Sequence, residues 1–246
     1  MNALIAATTF LTRVRMPARD AMNDIGGAVR WFPVVGAAIG AAAGALAWMA
    51  SRVQAVPPLL AALLIIALGA WVTGGIHLDG LADMADGFGG GATRADVLRI
   101  MRDSRIGAFG TIALILVIAI KGVALATLIE RGTAPPLLIA AATLSRWTIV
   151  ALGAWLPYAR ADGGLGEAVT QRRDAAGLLL ATSLTLAISA IAGWWTAIYL
   201  WISAAAIITA MGRLARRRIG GVTGDVFGAT VELVETGVLV VAVASR

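Results

Sequence analysis

The chain has no cysteine, a single histidine and only 14% charged residues over a length of 246. Lack of cysteine rules out disulfides and thiolate metal sites, without fixing the compartment. The shortage of charge excludes an ordinary soluble domain, where about 25% of residues are charged. Alternating apolar and polar strand patterns are absent as well. There is no Walker-type phosphate loop, no dinucleotide-binding glycine fingerprint and no Gly-x-Ser-x-Gly, which argues against an ATPase, a dehydrogenase and a serine hydrolase. What remains is apolar sequence, 59% of the chain. The fold class this predicts is all-α, a polytopic transmembrane helical bundle forming one integral membrane domain over residues 1–246. The net charge of +6 and pI of 11.1 reflect arginines at membrane boundaries, and no nucleic-acid partner is expected.

Apolar segments run at about 31–51, 57–76, 107–129, 135–156, 176–192, 194–211 and 226–244, each near the roughly 20 residues that span a bilayer. The fifth and sixth are separated only by Gly193 and also read as a tight hairpin or re-entrant pair. Before the first, ALIAATTFL is followed by Arg13 and Arg15. Charge after the apolar run is the wrong order for a cleaved signal peptide, so this is read as a short interfacial helix. Pro57–Pro58 and Pro135–Pro136 suit first helical turns. Gly36, Gly40 and Gly44, at four-residue spacing, mark a close-packing face.

The cations sort by side. Arg13, Arg15, Arg19 and Arg30, then Arg94, Arg99, Arg102 and Arg105, then Arg160, Arg172 and Arg173, and finally Arg213 and Arg216 to Arg218 fall on one side. The other side has Arg52, Arg131 and Arg246. The richer side is expected to be cytoplasmic.

Charge is concentrated in residues 77–106, expected to be a cytoplasmic catalytic loop. Asp79, Asp83 and Asp86 there are spaced i, i+4, i+7, which on a helix confines them to a wedge of roughly 60°. Carboxylates so crowded repel unless a cation sits among them. Hard oxygen ligands with no cysteine and at most one histidine suit Mg²⁺ or Mn²⁺. The four arginines that follow could clamp phosphates. Asp and Arg crowded between apolar segments also describe a solvated loop with local ion pairs. Gly87 and Gly89 to Gly91 favour the functional reading, since glycines let backbone approach a ligand closely or stop a helix.

Two cations lie near the middle of apolar segments, Lys121 and Arg146. At mid-membrane each should face a polar cavity or an acidic partner. They either neutralise each other or hold an anionic substrate. In the last segment Asp225, Glu232 and Glu235 fall largely on one helix face. Asp225 follows a glycine-rich lead, Gly220 to Gly224, like that of the first cluster, and one site fed by both is the simplest arrangement. Carboxylates in two groups together with arginines fit metal-assisted phosphoryl or nucleotidyl transfer. An alcohol nucleophile would need a base, and His77 could serve as one, bind metal or cap a helix.

The run HLDGLADMADGFGGG from His77, IMRDSRIGAFG from Ile100, WFPVVGAAIG from Trp31, LSRW from Leu144 and GGVTGDVFGA from Gly220 together resemble the cobalamin synthase family of adenosylcobinamide-GDP ribazoletransferases, in order along nearly the whole chain. The resemblance implies a Mg²⁺-dependent enzyme of the inner membrane that joins adenosylcobinamide-GDP to α-ribazole or its 5′-phosphate and releases GMP. It implies that Asp79, Asp83 and Asp86 bind Mg²⁺ at the diphosphate, with Asp225 completing the metal shell or orienting the attacking hydroxyl. Arg102, Ser104 and Arg105 would bind diphosphate or guanylate oxygens; Lys121, Arg146 and Glu232 are further substrate-binding candidates. The corrinoid is substrate, not cofactor. A homo-oligomer is compatible with this reading.

Two alternatives remain at this point. Asp83-x-x-Asp86-Gly87 and Gly221-x-x-x-Asp225 echo the CDP-alcohol phosphotransferase signature, but no Ala-Arg follows Gly87, Ala229 stands in place of the last Asp, and the halves are far apart. A transporter could use the intramembrane charges as an ion relay, yet no inverted repeat is evident.

Overall fold

The computed structural model describes residues 2–14, 25–53, 55–164, 166–171 and 174–245, which places Arg15, Arg19, Arg172, Arg173 and Arg246 outside the described residues. The elements are α1 (Asn2–Leu11), α2 (Ile25–Ala28), α3 (Phe32–Arg52), α4 (Pro58–Thr73), α5 (Ile76–Gly90), α6 (Arg94–Ile100), α7 (Ala108–Glu130), α8 (Ala134–Trp155), α9 (Glu167–Gln171), α10 (Ala175–Ser189), α11 (Trp194–Ile219) and α12 (Gly224–Ala244). Among the described residues there are no strands, only a parallel bridge between Tyr158 and Val222.

Six helical runs are long and apolar enough to cross a membrane: Ile25–Arg52, Ala108–Glu130, Ala134–Trp155, Ala175–Ala192, Trp194–Ile219 and Gly224–Ala244. The chain is a multi-pass membrane protein. The segment read at 57–76 qualifies only together with the helix after it, as a bent pair that makes a seventh span if counted as one. Its helix α4 has 16 residues, about 24 Å at 1.5 Å per residue against a hydrocarbon core of about 30 Å. Gly74 and Gly75 end it, both in the left-handed region with φ of 72° and 73°, a conformation glycine adopts without steric cost. The chain then turns 92° into α5. Residues 77–106 are therefore mostly helix, α5 and α6, and not an extended loop. The fifth and sixth segments are separate helices joined at Gly193, φ 94°.

The glycine stripe of α3 lies on α8, as its spacing predicted: Gly36 meets Ala142 and Thr143, Gly40 meets Leu138 and Ile139, and Gly44 meets Pro135. α8 and α12 are the most buried spans, while α4, α7, α10 and α11 present side chains such as Leu64, Ile115, Leu179 and Ile202 outward. An outward apolar face is what lipid requires. The N-terminal helix packs on protein: Ala6, Ala7 and Leu11 are buried, and Phe10 stacks on Phe32 at 5.4 Å.

Two arginines tie one end of the bundle together. Arg94 donates from Nε to the Ile219 carbonyl at 2.8 Å and from Nη2 to that of Ala159 at 2.7 Å. Arg218 donates to the carbonyls of Phe88 and Gly91, both at 2.7 Å. Helix ends leave unsatisfied carbonyls, and these guanidinium groups satisfy several at once. At the opposite end Arg131 donates to the Val243 carbonyl at 2.7 Å.

Candidate active site

The site forms where α5 crosses the start of α12. Gly80 and Gly228 make the crossing: a Cβ on Gly80 would lie 2.9 Å from the Asp225 carbonyl oxygen, and one on Gly228 would lie 3.0 Å from that of Ile76. Backbone-to-backbone contact of this kind needs small residues. It brings Asp79 and Asp83 of α5 beside Asp225, although nearly 150 positions separate them in the chain. Thr223 caps α12, accepting the Val226 N–H at 3.3 Å. Its hydroxyl also donates to Asp225 Oδ2 at 3.2 Å.

Two cavities flank this crossing. One of about 500 Å³ is lined by His77, Asp79, Tyr158, Arg160, Asp225 and Phe227 among others. The second, about 510 Å³, takes in Asp79, Asp83, Ser104 and Ile106. Asp79 lines both. Asp83 lies within electrostatic reach of the carboxylates of Asp79, Asp225 and Asp86, with Arg160 as the opposing cation. Like charges so placed favour a cation in their midst.

Asp86 has a different occupation. Its Oδ2 accepts the Gly107 N–H at 2.7 Å and its Oδ1 the Gly110 N–H at 2.8 Å, and the residue is 8% exposed. It caps α7, satisfying donors that a helix start leaves unpaired. The i, i+7 spacing put Asp86 on the stripe of Asp79, but the fold spends its carboxylate on the neighbouring helix.

Lys121, Arg146, Glu232 and Glu235 pair with one another. Lys121 Nζ donates to Glu232 at 2.5 Å and to Glu235 at 3.3 Å, and Arg146 donates to Glu235. The two cations do not face each other; each meets a carboxylate of α12. The cavity beside them is about 60 Å³, room for about two waters and far too small for a nucleotide. Glu232 therefore stands apart from Asp225, and the three candidates for substrate contact hold α7, α8 and α12 together instead.

The arginines after α5 divide as well. Arg102 pairs with Asp162 and borders an outer cavity of about 290 Å³ with Arg99 and Arg160. Arg105 grips Asp103 at 2.6 Å, and hydrogen bonds from Arg105 hold the Asp103 carboxyl down to about 2. His77 is 4% exposed and its Nε2 has no hydrogen-bond partner among the described residues. It lines the wall of the first cavity, and among the described residues it makes no helix-capping hydrogen bond.

No three His, Asp or Glu side chains among the described residues converge closely enough to hold a metal by themselves. The donor set still fits Mg²⁺, which binds through one or two carboxylates plus substrate phosphates and retains waters, seldom in an all-protein cage. Asp79, Asp83 and Asp225 provide such carboxylates around open space.

Arg160 and Tyr158 were missed by reading the sequence. Arg160 served there only as a marker of sidedness, but its Nη2 donates to Asp225 Oδ2 at 2.7 Å. The available signal was the glycine-rich sequence after it, Gly163, Gly164 and Gly166, which resembles the setting of both aspartate clusters.

Residues 3–243 match the family described as cobalamin-5-phosphate synthase. The chain belongs to that family. Curated relatives named adenosylcobinamide-GDP ribazoletransferase include one from Chlorobaculum tepidum, 40% identical over 98% of this chain and 95% of its own. One from Azorhizobium caulinodans is 41% identical over 95% and 92%, and one from Brevibacillus brevis 33% identical over 100% and 99%. No solved structure matches significantly. Membership of the cobalamin synthase family displaces the CDP-alcohol phosphotransferase and transporter readings.

Proposed function

We propose that this chain is an adenosylcobinamide-GDP ribazoletransferase whose reaction takes place between α5, α12 and residues 157–166, with Mg²⁺ as cofactor. The observation that carries the reading is that Asp79 and Asp225, from two motifs far apart in sequence, line one cavity of about 500 Å³. The reaction joins adenosylcobinamide-GDP to α-ribazole or its 5′-phosphate. The ribazole hydroxyl oxygen bonds to the phosphorus on the corrinoid side of the diphosphate, the bridging P–O bond breaks, and GMP leaves with the electron pair. The hydroxyl proton passes to a base.

Asp79, Asp83 and Asp225 are the residues assigned to metal and diphosphate. Bound there, Mg²⁺ would offset the diphosphate charge and stabilise the departing guanylate. Asp83 and Asp225 hold the reacting groups in register, which is the main protein contribution to phosphoryl transfer. His77, which lines this cavity with Asp79 and whose Nε2 has no partner among the described residues, is the base candidate there. Ser104, on the second cavity, is assigned to phosphate oxygens, with Arg102 and Arg105 towards the guanylate. The site opens to the cytoplasm, on the arginine-rich side of the cell inner membrane.

The test is GMP release by purified protein in liposomes from adenosylcobinamide-GDP and α-ribazole phosphate, with Mg²⁺ and then with EDTA. Metal-dependent GMP with a cobalamin product supports the reading, and no GMP from folded protein overturns it. Sidedness is tested separately. Because the chain has no cysteine, Ala92→Cys gives one thiol beside α6 for a membrane-impermeant maleimide. Labelling in inside-out but not right-side-out vesicles supports the orientation, and the reverse overturns it.

A further inference from the structure

At the mouth of the site an arginine is paired with a carboxylate that the proposed reaction needs for its metal. Arg160 Nη2 donates to Asp225 Oδ2 at 2.7 Å. The two side chains are only 14% and 18% exposed, so the pair is substantially removed from water. Arg160 Nε is buried with no hydrogen-bond partner among the described residues. A guanidinium offers five donors, and the buried Nε–H is one that finds no acceptor among the described residues.

The position of Arg160 is fixed by backbone rather than by Asp225. The Ala159 N–H donates to the Val222 carbonyl at 2.8 Å, and the Val222 N–H to that of Pro157 at 2.9 Å. Arg94 holds the Ala159 carbonyl at 2.7 Å from outside. Residues 157–160 are thus fastened to the lead-in of α12. Among the described residues Arg160 is the arginine that lines both the 500 Å³ cavity and the outer 290 Å³ cavity beside Arg99 and Arg102. A diphosphate joining a large body to a nucleotide needs such a junction, with one end in each space.

The other cations nearby either lie towards the guanylate or serve the fold. Arg102 and Arg105 pair with Asp162 and Asp103. Arg94 and Arg218 serve backbone carbonyls. Lys121 and Arg146 belong to the buried network with Glu232 and Glu235.

We propose that Arg160 is the diphosphate anchor of this site and that its pairing with Asp225 is the resting arrangement, exchanged on substrate entry. This rests on the ribazoletransferase reading above. In the resting protein each side chain neutralises the other, avoiding an unpaired charge in a poorly hydrated cleft. When a divalent cation and a diphosphate enter together, Asp225 turns to the cation and Arg160 to a phosphate oxygen. One ion pair gives way to two, and because the cation and the diphosphate enter together no buried charge is left over. Asp225 therefore competes with phosphate for Arg160 when metal is absent.

The test measures binding of inorganic pyrophosphate in EDTA, alongside steady-state kinetics. Asp225→Asn removes the competing carboxylate charge and should tighten pyrophosphate binding about tenfold over the parent protein. Adding Arg160→Ala should abolish that gain, an outcome that loss of structural support alone would not produce. In turnover, Arg160→Lys keeps the charge but loses the fork. It should raise KM for adenosylcobinamide-GDP by about tenfold while leaving KM for α-ribazole phosphate unchanged. No gain in Asp225→Asn, or a gain that survives Arg160→Ala, overturns the proposal. If Asp225→Asn does not fold, the KM split of Arg160→Lys decides alone, and equal changes in both KM values overturn it. Absence of GMP from the parent protein sinks the ribazoletransferase reading, while the pyrophosphate measurements still decide whether Arg160 is an anion anchor.

Discussion

Gly80 on α5 lies against Gly228 on α12 so closely that a methyl on Gly80 would stand 3.2 Å from the Gly228 Cα. Neither helix can carry a side chain at this point, and the distance between the two aspartate motifs is set by that contact. Gly228→Val should force the helices apart, lowering stability in detergent by about 1–3 kcal/mol and suppressing GMP release more strongly than the stability loss explains. Gly69→Ala, on α4 where a Cβ would meet nothing within 4 Å, should leave thermal unfolding and turnover near parental values. Retained turnover in Gly228→Val would show that the crossing does not position the site.

Asp83 and Asp86 lie three residues apart and should respond differently. Asp83→Asn removes a charge from a crowded group, so turnover should vanish while stability stays within about 0.5 kcal/mol of the parent. Asp86→Ala strips the cap from α7 and leaves the Gly107 and Gly110 N–H groups without acceptors, at a cost of about 1–2 kcal/mol. Thermal unfolding and GMP release measured on both variants separate the roles. Full activity in Asp83→Asn would remove it from the metal site.

The buried network predicts a rescue. Lys121→Met leaves Glu232 and Glu235 facing a single cation, Arg146, and should cost about 3–5 kcal/mol. Combining it with Glu232→Gln removes the unmatched charge and should recover most of that loss. Unfolding of the single and double variants in detergent checks this; a double variant less stable than Lys121→Met would mean the carboxylate has another partner.

Metal binding should depend on the diphosphate, because the protein offers carboxylates without a closed cage. Mn²⁺, a paramagnetic substitute for Mg²⁺, should bind weakly alone and several-fold more tightly when pyrophosphate is present, as read by electron paramagnetic resonance. EDTA should abolish turnover, with Mg²⁺ or Mn²⁺ restoring it. Mn²⁺ affinity indifferent to pyrophosphate would argue for a preformed protein site elsewhere.

Much of this protein is legible in its sequence because the bilayer leaves few choices. Apolar length dictates spanning helices, and Gly36, Gly40 and Gly44 announce a packing face because only a side-chain-free stripe permits so close an approach. The aspartate motifs could be read as chemistry because crowded carboxylates demand a counter-charge. Periodicity, however, reports only which face of a helix a residue occupies, never what stands opposite. It could not show that Asp86 caps α7, that Glu232 and Glu235 meet Lys121 and Arg146, or that Arg160 reaches Asp225. Nor could it show that Gly74 and Gly75 break the second segment and turn α5 away from α4. Those outcomes depend on which helices become neighbours, a property of contacts between residues up to 114 positions apart, and only the folded bundle decides them.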